Sequence, residues 1–430
     1  MNSNQQSPWL FDKCLFPKIF QTFRTAIQPS KLIIAFAAMA TICLAGWIMD
    51  FSKTVVSAQE AHGQTTELRI YMANPDQLKP YIENYEEAGE RTGVFSELWK
   101  LATSRFQGAV DSVFAFNLPA VVANITDCFK ALGWAIKYHT IYCVIFFAIN
   151  LAVISIAGGA LCRMAALQCA RGEKPGLSEA LRYSTKKFTS FFTTPLAPIG
   201  IIIFIGLFVF LLGLLGNIPH AGELIMGLFM PLALLAGALI AVVLIGAVAG
   251  FNLMFPAVAY DSSDCFDAIS RSFSYVYSKP WHMGFYTAIA AIYGAICYTF
   301  VRFCVFLLLL ATRWSLQLGV FTESSTTNVD KVTAIWPQPS FINLLQLPAL
   351  GEAHWPHLVA AVLVYLSSLV IVALVGAFVI SFYFSANTII YSLMRSKVDN
   401  TTLDDIYTEY VQATEPTPSE PESEESTNND

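Results

Sequence analysis

Six uninterrupted apolar runs, at residues 32–49, 140–161, 192–215, 224–254, 283–310 and 358–384, fix the solvent in which this chain folds. As a helix rising ~1.5 Å per residue, each run is long enough to span or nearly span a hydrocarbon core of ~30 Å. None contains Asp or Glu, and only the fifth carries a charge, Arg302. The implied fold class is all-α: a polytopic transmembrane bundle of six spans with interfacial amphipathic helices. Hydrophobic residues make up 55% of the chain and charged residues 13%. Mean hydropathy is +0.54, beyond the ordinary range of a soluble domain.

Lys and Arg in the short connections give an orientation. Lys13, Lys18, Arg24 and Lys31 precede the first run; Arg163, Arg171, Lys174, Arg182, Lys186 and Lys187 follow the second; Arg271 and Lys279 follow the fourth; Arg395 and Lys397 follow the sixth. The alternate connections are poor in basic residues, with Arg313 and Lys331 between the last two runs. Both termini are therefore expected in the cytoplasm of a bacterial inner membrane. Trp47, Trp134, Trp314 and Trp355 then fall at the outer boundary and Trp281 at the inner one, as interfacial anchors. The alternative for the first run, a signal peptide cleaved near Val56-Ser57-Ala58, fits less well, because a long charged leader precedes it and Trp47 and Asp50 follow. The net charge of −6 comes largely from six acidic residues among the last sixteen. No basic surface for nucleic acid is expected.

The expected organisation is a leader (1–31), a first anchor (32–50), an outer loop (51–138), a five-span membrane domain (139–397) and a disordered acidic tail (398–430), with Asp404–Tyr407 ending a short helix. Val122, Ile125, Phe129, Leu132 and Ile136 recur at helical spacing, as do Phe95, Leu98, Ala102, Phe106, Ala109 and Val113. Two amphipathic helices are thus predicted in the outer loop, lying in the outer membrane–water interface or capping the bundle, with packing of their apolar faces against the spans the favoured reading. The loop looks too lean to be a domain. Two connections repeat a pattern of span, amphipathic helix, proline and span, which suggests a duplicated unit at 139–216 and 224–311.

The stretch 267–281, DAISRSFSYVYSKPW, preceded by Phe255-Pro256-Ala257-Val258, resembles the membrane domain fused to some bacterial glycerophosphodiester phosphodiesterases. Residues 158–166, GGALCRMAA, and 391–399, YSLMRSKVD, are similar to stretches of an uncharacterised bacterial six-span family. The resemblance covers roughly residues 139–407 and implies a fold without a reaction. The phosphodiesterase chemistry belongs to a separate barrel, and no catalytic residue carries over.

Gly158, Gly159, Gly246 and Gly250 are candidate helix-packing positions, the last two forming a GxxxG step. Arg182, Lys186, Lys187 and Arg271 are candidate contacts for anionic headgroups. His220, Glu223, His354 and His357 could share one face as metal ligands, but their spacing matches no established motif, so no metal and no cofactor is expected. Arg302 is read as snorkelling to the outer boundary. Asn150, Asn252, Ser367, Ser368 and Ser381 are the notable uncharged polar groups. The absence of intramembrane carboxylates argues against an ion-coupled carrier, and no hydrolase or nucleotide motif occurs. The favoured function is a non-enzymatic scaffold, anchor or accessory factor for membrane partners or lipids. A permease or lipid transporter comes second, and a lipid-acting membrane enzyme third.

Overall fold

The computed structural model describes residues 16–60, 63–85, 90–219, 221–320, 330–346 and 355–407. After a 3₁₀ turn at Phe16–Gln21 come α1 (Thr22–Ala26) and α2 (Pro29–Met49). A small mixed unit follows: β1 (Val55–Glu60), β2 (Gly63–Thr66), α3 (Glu67–Ala73), α4 (Leu78–Tyr85), β3 (Glu90–Thr92), α5 (Val94–Phe114) and α6 (Leu118–Tyr138). The remainder is helical: α7 (Thr140–Arg171), α8 (Leu177–Lys186), α9 (Phe188–Thr193), α10 (Ala197–Leu215), α11 (Ala221–Asp261), α12 (Cys265–Ser278), α13 (Pro280–Gly319), α14 (Lys331–Ile335) and α15 (Trp355–Val398). Among the described residues six helices, α2, α7, α10, α11, α13 and α15, are long and apolar enough to cross a membrane. The chain is a multi-pass membrane protein of the all-α class.

At 41, 40 and 44 residues, α11, α13 and α15 run for ~60 Å each, about twice a hydrocarbon core. Roughly half of each must therefore stand outside it. The ends of α7, α11 and α15 converge with the start of α13 and with α12 on one face, hereafter the basic face. There Leu253–Tyr260 of α11 and Ser385–Arg395 of α15 are buried without interruption. Buried Ser385, Asn387, Thr388, Ser392 and Arg395 give this core the polar content of a soluble helical packing rather than of a lipid-facing one.

Glycine shapes that core. A Cβ on Gly158 would lie 2.6 Å from the Phe384 ring, and one on Gly159 would lie 2.5 Å from Ser184 Oγ and 2.7 Å from Phe191. The notch lets α8 approach the backbone of α7, where the Ser184 hydroxyl donates to the carbonyls of Ile156 and Ser155 at 2.6 and 3.0 Å. Gly159→Ala is expected to cost about 1–3 kcal/mol through overpacking, read as a lower melting temperature of the detergent-solubilised protein. The atoms nearest to a Cβ on Gly246 or Gly250 belong to Phe273 and Ser272 of the chain's own α12.

On the opposite face the loop of residues 51–138 is more than two helices. Its sheet has the order β2-β1-β3, with both pairings antiparallel. Val55, Val56, Leu68, Leu78, Tyr81, Val94, Ala131, Trp134 and Ala135 make a separate core. Trp134 is 0% exposed, so it is the centre of this unit and not an interfacial anchor. Asp50, at the end of α2, ties the unit to the spans. Its carboxylate accepts from Phe95 N and Ser96 N at 2.9 and 2.8 Å, from Ser96 Oγ at 2.6 Å and from Tyr142 Oη at 2.9 Å. It thereby caps α5 from outside its own segment.

Both predicted amphipathic helices form, but α6 is turned the other way. Ala131, Trp134 and Ala135 face inward, Asn124 sits over Gly108 of α5, and Asp127 pairs with Arg105 at 3.2 Å. The apolar stripe expected against the spans is exposed, with Val122 at 61% and Phe129 at 69%. The physical reason is burial: Trp134, Ala131 and Ala135 enter the core of the mixed unit, which turns the opposite stripe outward, and the partly exposed Arg105–Asp127 pair adds little to that.

The ends of the chain also depart from expectation. Within the leader, Ile19 and Ala26 are fully buried, and Phe23 stacks edge-on against Phe300 and Phe378. Lys31, counted above as an orienting charge, is 0% exposed, and its ammonium donates to Gln168 Oε1 at 3.1 Å. Residues 399–407 contain no helix and pack onto the basic face, where Ile406 is buried. The acidic remainder of the tail, 408–430, lies outside the described residues.

Candidate functional site

The densest polar cluster is centred on Asp261, the last residue of α11. Tyr391 and Arg395 stand one turn apart on α15, so both reach the same neighbour. The Tyr391 hydroxyl donates to Asp261 Oδ2 at 2.5 Å, and Arg395 Nη2 lies 3.3 Å from Asp261 Oδ1. Arg271 of α12 adds Nη1 at 3.5 Å, while its Nε stays on Asp267 at 3.0 Å. Burial works against the Arg271 charge, but Asp261 and Asp267 outweigh it and hold its pKa above the ordinary arginine value. Arg395 also bonds Asp405, through the backbone carbonyl and through Oδ2 at 3.0 Å.

Around this centre the segment 399–407 is strapped down. The Tyr275 hydroxyl donates to Asp399 Oδ2 at 2.5 Å. Burial first, and then the Asp399 carboxylate, push the Tyr275 phenol above its usual pKa, which keeps it a donor. Tyr260 Oη donates to the Leu403 carbonyl at 2.5 Å, and Tyr407 N donates to Tyr260 O at 3.2 Å. Arg163 lies 4.5 Å over the Tyr183 ring and donates to the carbonyls of Ala259 and Tyr407, each at 2.9 Å. Chemically this is a lock. The Asp261 carboxylate is already engaged by the Tyr391 phenol and by the Arg395 and Arg271 guanidiniums.

Of the candidate headgroup contacts, Arg182 and Lys186 lie at the surface of α8. Lys187 donates to the Ser262 carbonyl at 2.7 Å, and Arg271 belongs to the Asp261 network. Glu223 and His357 sit in the first turns of α11 and α15; His220 and His354 lie outside the described residues. Among the described residues no group of three His, Cys, Asp or Glu could hold a metal ion.

Arg302 does not snorkel to open solvent. It is buried, 22 residues past the start of α13, and donates to the carbonyls of Phe341 at 3.1 Å and Ile342 at 2.7 Å. It also reaches Tyr298 Oη at 2.8 Å and Gln107 of α5. The uncharged polar groups are similarly bonded. Asn150 donates to Phe146 O at 2.8 Å, Tyr383 Oη to Asn252 Oδ1 at 2.6 Å, Ser367 to Leu363 O at 2.8 Å and Ser381 to Ala26 O at 2.8 Å. Ser368 lines a small recess with Trp336, Leu344 and Tyr365.

Asp261, Asp399 and Asp405 escaped the sequence reading because none lies inside an apolar run. The available signal was local: Tyr391 and Arg395 at i and i+4, and Asp261 as the first charged residue after the longest run. The stretches 158–166, 255–258, 267–281 and 391–399, which carry the family resemblance, meet around this network. In comparisons with protein-family models, curated proteins and solved structures, the chain matches none.

Proposed function

We propose that this chain is a non-catalytic multi-pass protein of the bacterial inner membrane, with both termini in the cytoplasm, serving as a scaffold, anchor or accessory factor for membrane partners or lipids. One observation carries the reading: the polar side chains identified within the spans act as fasteners between helices or onto their own backbone. Arg302, Asn252, Ser381 and Lys31 each bond to a different pair of elements, and they do not line a common path. Meanwhile α10 and the first half of α11 form a hairpin that exposes apolar side chains broadly; Pro198 is the buried residue of α10. Such a hairpin offers intramembrane surface for lipid or for a partner's helix. The orientation rests on Arg171, Arg182, Lys186 and Lys279 at the basic face, by the positive-inside tendency. The resemblance to stand-alone bacterial membrane domains points the same way.

The test pairs two measurements on the full chain. A photocrosslinker at Phe204 or Leu235 in native membranes should give a discrete protein adduct or lipid adducts. Purified protein in vesicles should leave the flip rate of a fluorescent phospholipid unchanged. Accelerated flipping would replace this reading with a transporter. Reporter fusions should place Lys186 inside and Asn217 outside, and the reverse pattern would overturn the orientation.

A further inference from the structure

The outward face of α6 is a continuous apolar surface. Leu118, Val122, Ile125, Phe129, Leu132 and Ile136 follow one another at steps of three and four and are all exposed. The hairpin tip adds Phe114 and Phe116, the latter 86% exposed. In water such a stripe would be a liability.

Two features say what covers it. The first is continuity. Only His139 separates α6 from α7, whose Ile141, Val144, Ile145 and Phe147 are exposed in turn, so the stripe runs directly into the lipid-facing surface of a span. The second is level. The partner helix α5 starts at the Asp50 cap, and then Phe106 packs edge-on against Tyr298 at 5.1 Å while Gln107 accepts from Tyr298 Oη at 3.1 Å. Tyr298 is eighteen residues past Pro280 and twenty-one before Gly319, the ends of α13. The contact therefore lies ~27 Å from one end of the helix and ~31 Å from the other. Phe300, Phe303 and Leu307 are exposed beside it. The hairpin thus lies alongside the spans rather than above them.

We infer that α5–α6 is a lipid-inserted hairpin whose α6 stripe is covered by the acyl chains of the leaflet on the face opposite the basic one. Between the two helices the Arg105–Asp127 pair and Asn124 over Gly108 join their polar sides, so the helices enter together, with Lys100, Asp111, Lys130 and Lys137 left exposed away from the stripe. The inference does not depend on which face is cytoplasmic or on the scaffold reading.

The test places an environment-sensitive fluorescent amino acid at Val122, Phe129 or, as the solvent control, Lys79 of α4, in the full chain. The protein is reconstituted in phosphatidylethanolamine–phosphatidylglycerol vesicles. Lipids spin-labelled on the acyl chain should quench Val122 and Phe129 and spare Lys79, whereas iodide should quench Lys79 alone. Iodide quenching at Phe129 equal to that at Lys79 would overturn the inference. So would protection from both quenchers, which means a protein covers the stripe. A Phe129→Lys, Ile125→Asp variant should lose acyl-chain quenching at Val122 while retaining the melting temperature of the basic-face core, and unchanged quenching would equally count against it.

Discussion

Asp261→Ala is expected to produce the largest loss of stability of any single substitution on the basic face, about 3–5 kcal/mol, the range for breaking a buried pair by removing one partner. The carboxylate is nearly buried and holds Tyr391, Arg395 and Arg271 together. Without it the Arg395 guanidinium keeps Asp405, but the Tyr391 hydroxyl is left inside the core without that acceptor, at a desolvation cost of ~1–3 kcal/mol. Asp261→Asn preserves an acceptor for Tyr391 and is expected to fall between the variant and the native protein. Arg271→Ala should cost less than ~1 kcal/mol, because that side chain is more than one-third exposed and part of its pairing is with exposed Asp267. The measurement is thermal unfolding in detergent, with Arg182→Ala as a surface control within about 0.5 kcal/mol of native. Equal melting of Asp261→Ala and the control would show that the network is not a lock.

Asp50→Ala should cost about 3 kcal/mol and act at the other end of the bundle. One carboxylate supplies the cap of α5, the Ser96 hydroxyl contact and the Tyr142 link to α7. Charge-assisted hydrogen bonds contribute roughly 1.5–3 kcal/mol, and loss of a cap alone roughly 0.5–2 kcal/mol. The local signature is faster amide exchange at Phe95 and Ser96 with unchanged protection in α12 and the end of α15. Protection lost equally at both ends would mean that the bundle unfolds as one unit and that Asp50 does not anchor a separable part. A longer side chain is not expected to substitute, since Gly93 packs directly on the Asp50 carboxyl and a Cβ there would stand 2.0 Å from Cγ.

The spans were legible because hydrocarbon imposes a simple rule on composition, and that rule leaves a mark wherever a helix crosses. The amphipathic helices were legible for the same reason, through period. Their facing was not. For α6 the apolar stripe gave the period correctly, but its direction was decided by the core that Val55, Leu68 and Leu78 build around Trp134, more than fifty residues upstream. The sheet was missed because its strands are short and mix Val with Gln, Thr and Glu, which resembles loop. The Asp261 network joins residues separated by about 130 positions, and no local pattern announces a pairing of that range. Lys31 shows the converse: a charge that reads as a boundary marker in sequence is enclosed once α7 is in place.

The hydrogen bond from Ser381 to the carbonyl of Ala26 spans 355 positions, and Phe23 closes on Phe378 beside it. A chain synthesised from its N-terminus cannot make these contacts until its last span has emerged. The first span meets its native neighbour α7 early but must wait in the bilayer for α15, so formation of the finished bundle is delayed by its own connectivity. Chains truncated before the sixth span are expected to insert and yet remain incompletely assembled, with the side of α1 that meets α15 displayed. That is a ready cue by which a quality-control protease could tell incomplete copies from finished ones.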